Sequence, residues 1–211
     1  MSEQPARRGP GRAPAGTSDG RQDLLRAARQ VFAERGYAAA RTRDILAKAD
    51  ATAPTLYHHF GNKAGLYIAV VGEVNDEIVG AFSEAIEDRV CFLDRLDGIL
   101  DATLAFQARD RAFSSLVLAA PVEVRQHPEL AVGSASVRRM REFVERMCST
   151  SEGLAVSPRT ATQAVMTIIY GLARSAATHS PREFASVVAS VRILARAGLV
   201  AQRTEVDVAE M

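Results

Sequence analysis

The segment from Thr42 to Lys63 constrains this chain more than any other stretch. Two short helix-like runs, 42–49 and 52–60, are separated only by Asp50 and Ala51. Thr42 and Thr52 stand where N-caps belong, and Pro54 falls in the first turn of the second run, where its missing N–H costs nothing. Gly61 offers a stop, and Asn62 a cap for whatever follows. Two helices joined by so short a turn must cross steeply. The second then stands out as a rigid polar rod, the arrangement that fits the major groove of DNA. The helix-turn-helix spans 41–60.

The flanking sequence is helical too. Residues 1–17 hold almost no large apolar side chain and read as a flexible arm. A first helix starts at Ser18 or Asp19, where Asp19 and Gln22 fit a capping box. Leu24, Ala28, Val31 and Phe32 form its apolar stripe, and Gly36 its stop. The second helix buries Ile45, Leu46 and Ala49, and the third turns Leu56 and Phe60 inward. A long fourth repeats Leu66, Val70, Val74, Ile78, Phe82 and Ile86. Leu93, Leu96, Leu100 and Leu104 mark a fifth. Phe113, Leu116, Val117 and Ala120 mark a sixth, ended by Pro121. Pro128 opens a seventh with Val137, Met140, Phe143, Val144 and Met147. Ser157-Pro158 opens an eighth, and Ser180-Pro181-Arg182-Glu183 a ninth, the latter a capping box ended by Gly198. With no alternating strand pattern, the expected class is all-α with about nine helices. The expected parts are an arm (1–17), a head (18–78), a body (79–198) and a tail (199–211).

Charge supports a nucleic-acid partner. Residues 1–63 carry eleven basic and six acidic side chains, the remainder fifteen and nineteen, although the whole chain is only +1. No apolar run is long enough to span a bilayer, and the N-terminus lacks the apolar core of a secretory signal, so a cytoplasmic protein is expected. Cys91 and Cys148 are too few for a disulfide framework or zinc site, leaving a redox-sensing role as a minor alternative. His58 and His59 point about 100° apart on a helix and are not a metal pair. Neither a phosphate-binding Gly-x-x-x-x-Gly-Lys loop, a Gly-x-Ser-x-Gly elbow nor a His-Glu-x-x-His helix occurs, so neither an enzyme nor a cofactor is expected.

Residues 18–78 closely resemble the N-terminal domain of the TetR family of transcriptional regulators. The resemblance rests on Ala27-Ala28, Phe32, Gly36-Tyr37, Thr42, Ile45, Ala49, Thr55-Leu56-Tyr57-His58-His59-Phe60, Asn62-Lys63 and Leu66. Two positions depart from the family pattern: Asp50 stands where glycine is usual, and Leu46 where alanine is usual. Aspartate tolerates the left-handed region, so the turn is expected to survive.

If the third helix enters the groove, Ala53, Pro54, Thr55, Tyr57 and His58 face outward, and the first three offer methyl contacts to thymine. Arg43 is the candidate for a bidentate contact to guanine, with a solvated helix residue as the alternative. The resemblance implies phosphate contacts from Thr42, Thr52, Tyr57, His59 and Lys63. For Tyr57 a half-buried core position is the alternative. Arg7, Arg8 and Arg12 form a basic arm that either reaches the DNA backbone or minor groove or only aids solubility.

One small reading head makes too few contacts for tight binding, so a homodimer on a pseudo-palindromic operator is expected. Val165, Ile168, Ile169 and Leu172 on the eighth helix, with Phe184, Val187, Val188, Val191 and Leu194 on the ninth, are the candidate interface. Packing into their own core is the alternative. The resemblance also implies a small-molecule inducer pocket. Phe82, Phe106, Phe113, Leu116, Met140, Phe143, Met147, Met166 and Tyr170 would line it and favour a hydrophobic or amphipathic ligand, unless these residues are ordinary core. His127 and His179 are pocket anchors or helix-end residues. The expectation is a ligand-responsive repressor; the alternatives are an activator of the same fold, or a ligand-sequestering protein with a non-reading head.

Overall fold

The computed structural model describes the backbone of residues 18–109 and 111–209, and the side chains of all these except 18–19, 111–113, 132–137 and 198–209. In chain order the helices are α1 (Ser18–Ala39), α2 (Thr42–Lys48), α3 (Ala53–Phe60), α4 (Lys63–Ile86), α5 (Phe92–Arg109) and α6 (Arg111–Gln126). A 3-10 turn (Pro128–Gly133) leads to α7 (Ser134–Ser149), α8 (Pro158–Thr178) and α9 (Pro181–Ala209). Among the described residues the only strand-like pairing is an isolated bridge between Cys91 and Glu152.

Most helix ends follow local chemistry. The Asn62 side chain accepts the Gly65 N–H at 2.8 Å and starts α4. Ser157 accepts the Thr160 N–H at 3.2 Å and starts α8. At α9 the box is reciprocal: Ser180 N–H donates to the Glu183 carboxylate at 2.9 Å, and Glu183 N–H donates back to the Ser180 hydroxyl at 3.4 Å. The Asp19–Gln22 box lies outside the described side chains.

Four expectations about helix ends fail. Thr42 is the first residue inside α2, and Arg41 takes the extended cap position without a side-chain bond. Gly36, by contrast, ends the regular helix as expected, at φ 72 and ψ 173, before one further turn in which Ala40 N–H bonds Gly36 C=O at 3.3 Å. Pro121 does not end α6; the helix runs through it, gripped by α1 and α8, and that packing offsets a lost backbone bond. Pro128 opens the 3-10 turn rather than α7, with Leu130 N–H closing on His127 C=O at 2.9 Å. Gly198 does not end α9, since a single glycine costs a helix only about 1 kcal/mol.

Packing makes α4 the shared spine. Its Leu66, Val70 and Val74 pack into the same core as Leu24 and Phe32 of α1 and Leu56 of α3. Farther along, Ile78 and Phe82 join Phe106 of α5, Leu116 of α6, Phe143 of α7 and Val165 of α8 in that continuous core. Each such buried side chain contributes about 2 kcal/mol. A second, smaller core of Leu96, Leu100, Leu172, Phe184 and Val188 joins α5, α8 and α9. Arg192 reaches Asp97 at 3.3 Å, and Arg196 pairs with the same carboxylate, tying α9 to α5.

Candidate nucleic-acid interface

The turn between α2 and α3 is built from backbone bonds that any sequence of suitable shape can make. Ala49 N–H closes α2 on Ile45 C=O at 2.9 Å, and Ala51 N–H reaches back to Leu46 C=O at 3.0 Å. This six-to-one closure needs a left-handed residue between them, and Asp50 takes it at φ 46. Aspartate thus does the work of the usual glycine. Leu46 is half-buried and packs against the core, so the larger side chain is accommodated. Arg35 of α1 pairs with Asp44 and pins α2 to its neighbour.

α3 is held from below and bare above. Leu56 is fully buried, and Thr55 is only 8% exposed, its methyl facing Gly20 of α1 and its hydroxyl bonding Thr52 at 2.9 Å. Thr55 therefore leaves the expected reading face: three residues before His58 on a helix, it sits on the flank turned to α1. The outward face is Ala53, Pro54, Tyr57 and His58, all exposed. At 58% exposure, Tyr57 is not a core aromatic. His59 is half-buried, with an inaccessible Nε2. Thr42 is half-buried at the start of α2. Arg43 extends into solvent, its side chain 73% exposed and loosely paired with Asp44 at 3.5 Å. Thr52 is exposed at the N-cap of α3. Arg7, Arg8 and Arg12 lie outside the described residues.

The junction of α3 and α4 fixes the angle of the rod. A Cβ on Gly65 would lie 2.0 Å from the Phe60 carbonyl oxygen, so only glycine allows this approach. Lys63 serves a structural purpose beyond the expected phosphate contact. Its ammonium donates to the Ala40 carbonyl at 2.8 Å and the Ala38 carbonyl at 3.4 Å, and lies 4.4 Å from the Tyr37 ring centre. Desolvation lowers its pKa against the opposing fields of Glu123 and Glu129. Sequence spacing gives no sign of this, because its partners lie more than twenty residues upstream.

In the body, the predicted pocket residues divide. Phe82 and Phe106 line a partly open cavity of about 30 Å³ bordered by α4, α5, α6 and α8. Leu116, Met140, Phe143 and Met147 are buried in the continuous core without lining it, and Met166 and Tyr170 are half-buried elsewhere. The Phe113 side chain lies outside the described residues. Ile169, expected at an interface, lines the cavity instead. Val165, Leu172, Phe184 and Val188 are likewise buried within the chain, because one face of each helix is consumed by the cores. Ile168, Val187 and Val191 are half-buried, and Leu194 is 71% exposed beside Ile193 at 67%, a residue the periodicity missed. His179 ends α8 and His127 ends α6, so both are helix-end residues. Missed too were Gln107 and Ser114, each 5% exposed. Gln107 continues the stripe of Leu96, Leu100 and Thr103, a polar residue on a buried face.

The geometry has close relatives. A family model described as bacterial regulatory proteins, tetR family, matches residues 24–70. The chain is 36% identical over 90 residues to the HTH-type transcriptional activator FasR of Mycolicibacterium smegmatis, covering 43% of this chain and 41% of that protein. It is 29% identical over 105 residues to the HTH-type transcriptional repressor KstR2 of the same organism, covering 50% of each. The match thus spans half or less of these two relatives. It is 30% identical over 142 residues to the HTH-type transcriptional regulator UidR of Escherichia coli K12, covering 65% of this chain and 69% of that protein. Among solved structures, Salmonella enterica GusR aligns with a TM-score of 0.66 and 25% identity over 85% of this chain and 97% of that one.

Proposed function

The chain belongs to the TetR family of bacterial regulatory proteins, and from that premise we propose that it is a homodimeric, ligand-responsive transcriptional repressor acting on DNA in the cytoplasm. The observation that carries the reading is the outward face of α3, where Pro54, Tyr57 and His58 stand exposed on a helix anchored by Leu56. Ala53 and Pro54 supply apolar contacts to bases, Arg43 a guanine contact, and Tyr57 with the α2 and α3 N-termini the backbone contacts.

Pairing is proposed through the outer faces of α8 and α9, where Ile193 and Leu194 are exposed and Gly171 has open space above it. Two heads related by a two-fold axis read half-sites about 34 Å apart. Because α4 begins at the head and ends beside the cavity, a ligand that binds better when α4 is displaced lowers DNA affinity by its differential affinity for the two states. The domain division into a 18–78 head and a 79–198 body belongs to the same proposal. No catalytic activity is assigned.

The test is selection of genomic fragments by the purified protein, followed by footprinting. The reading expects protection of a two-fold symmetric site with half-sites about one helical turn apart. Recovery of fragments with no shared site would contradict it.

A further inference from the structure

Polar groups are scarce among the described residues that line the cavity, and the main one has a fixed direction. In the last turn of α8 the Ala176 carbonyl, which can only accept, lies 2.7 Å from Gln107 Nε2. That bond sets the orientation of the Gln107 amide and turns its Oε1 to Ser114, whose hydroxyl donates to it at 3.0 Å. With its proton committed to Gln107, the oxygen of Ser114, a residue of the cavity wall, is left as an acceptor. Thr103, the other hydroxyl of the wall, is turned back on its own helix and donates to Ile99 C=O at 2.8 Å. Ile78, Phe82, Val117 and Ile169 are apolar, and no charged side chain among the described residues lines the space.

We propose that this cavity takes a neutral, largely apolar small molecule carrying one hydrogen-bond donor, such as an alcohol or phenol, in preference to a ketone, ether or carboxylate of the same shape. The inference rests on the ligand-responsive reading above and narrows its ligand. An acceptor-only ligand can engage Ser114 only by taking its proton from Gln107, leaving a buried oxygen unpaired, a loss of roughly tenfold in affinity. A carboxylate meets that penalty and also gives up its hydration, with no cation among the described wall residues to offset it. At about 30 Å³ the cavity holds one small group as it stands, so a ring-sized ligand enters as Phe106 or Phe82 gives way.

The experiment measures dissociation constants of cyclohexanol, cyclohexanone and cyclohexanecarboxylate by ligand-observed NMR. The proteins are the wild type and Phe106→Ala, which widens the cavity. The expected result is cyclohexanol tighter than cyclohexanone by about tenfold or more, with no binding of the carboxylate. Gln107→Met frees the Ser114 proton, so the ketone gains and the ratio falls to about one. Thr103→Val leaves the ratio as in the parent. Equal or tighter ketone binding, or a ratio unchanged in Gln107→Met, overturns the proposal. Binding of no probe to either protein also overturns it. DNA binding in the same preparations separates the two readings: its retention without probe binding leaves the regulator standing, and its loss sinks the regulator itself.

Discussion

The Glu123 carboxylate, near the end of α6, accepts the backbone N–H of Tyr37 at 2.8 Å, at the point where α1 leaves its helical path. The Tyr37 hydroxyl donates to Glu129 at 3.2 Å, and the His127 ring packs edge-on against Tyr37, with centres 4.9 Å apart. Burial raises the Tyr37 pKa, and the field of Glu129 raises it further, so the phenol stays a donor. The end of α1 is thereby held by the helix that also lines the cavity. One polar cluster ties the N-terminal helices to the helix that forms one wall of the cavity.

Gly36→Ala tests that junction. Residue 36 lies at φ 72 and ψ 173, a region almost reserved for glycine, and a Cβ would stand 2.9 Å from Glu123 Oε1. Urea unfolding is expected to show a loss of about 1–3 kcal/mol. Adding Glu123→Ala relieves only the contact, so the double variant stays below the wild type.

Tyr57→Ala and Arg43→Ala separate register from readout. Both side chains are largely exposed, so melting temperatures should stay close to the wild type. Tyr57→Ala is expected to weaken binding across all sequences. Arg43→Ala is expected to relax preference at one base position, at a cost of about 1–3 kcal/mol there. An unchanged specificity profile would remove Arg43 from the readout.

Leu194→Glu tests the pairing surface. The side chain is 71% exposed, so the subunit fold should survive, while a charge facing its own copy opposes association. Sedimentation velocity is expected to find a dimer for the wild type and a monomer for the variant. Specific DNA affinity should fall with the dimer.

The capping box of α9 gives a pH signature. Hydrogen bonds from the Ser180 backbone N–H and hydroxyl lower the Glu183 pKa. A carboxyl that is more acidic in the folded state stabilises above its unfolded pKa, and the effect is lost as pH falls through the folded value. Glu183→Gln does not titrate. Thermal melts should therefore show a shallower acid decline for the variant than for the wild type, whereas parallel curves would remove the box from the acid response.

Features set by neighbours a few residues apart were legible in the chain itself. Asn62, Ser157 and the Ser180–Glu183 pair cap the helices their spacing suggests, and Asp50 takes the left-handed turn. Features set by distant packing were not. Whether Pro121 ends a helix depends on α1 and α8, which pack against α6. Thr55 reads as outward because its stripe is short, and its contact with α1 at Gly20, a distant position in the chain, buries it. Leu172 and Phe184 carry the same apolar pattern whether they face a partner or α5, and the fold gives them to α5. Gln107 and Ser114 are ordinary polar residues until the Ala176 carbonyl of α8 orients the Gln107 amide.

Sequence-specific reading by α3 is tested by fluorescence anisotropy at two salt concentrations with two duplexes. One carries the DNA upstream of the protein's own gene, the other a scrambled sequence. The account predicts a preference of about a thousandfold or more for the native duplex, with both affinities falling as salt rises. Equal affinity for the two duplexes at both salt concentrations, or no binding to either, would contradict it.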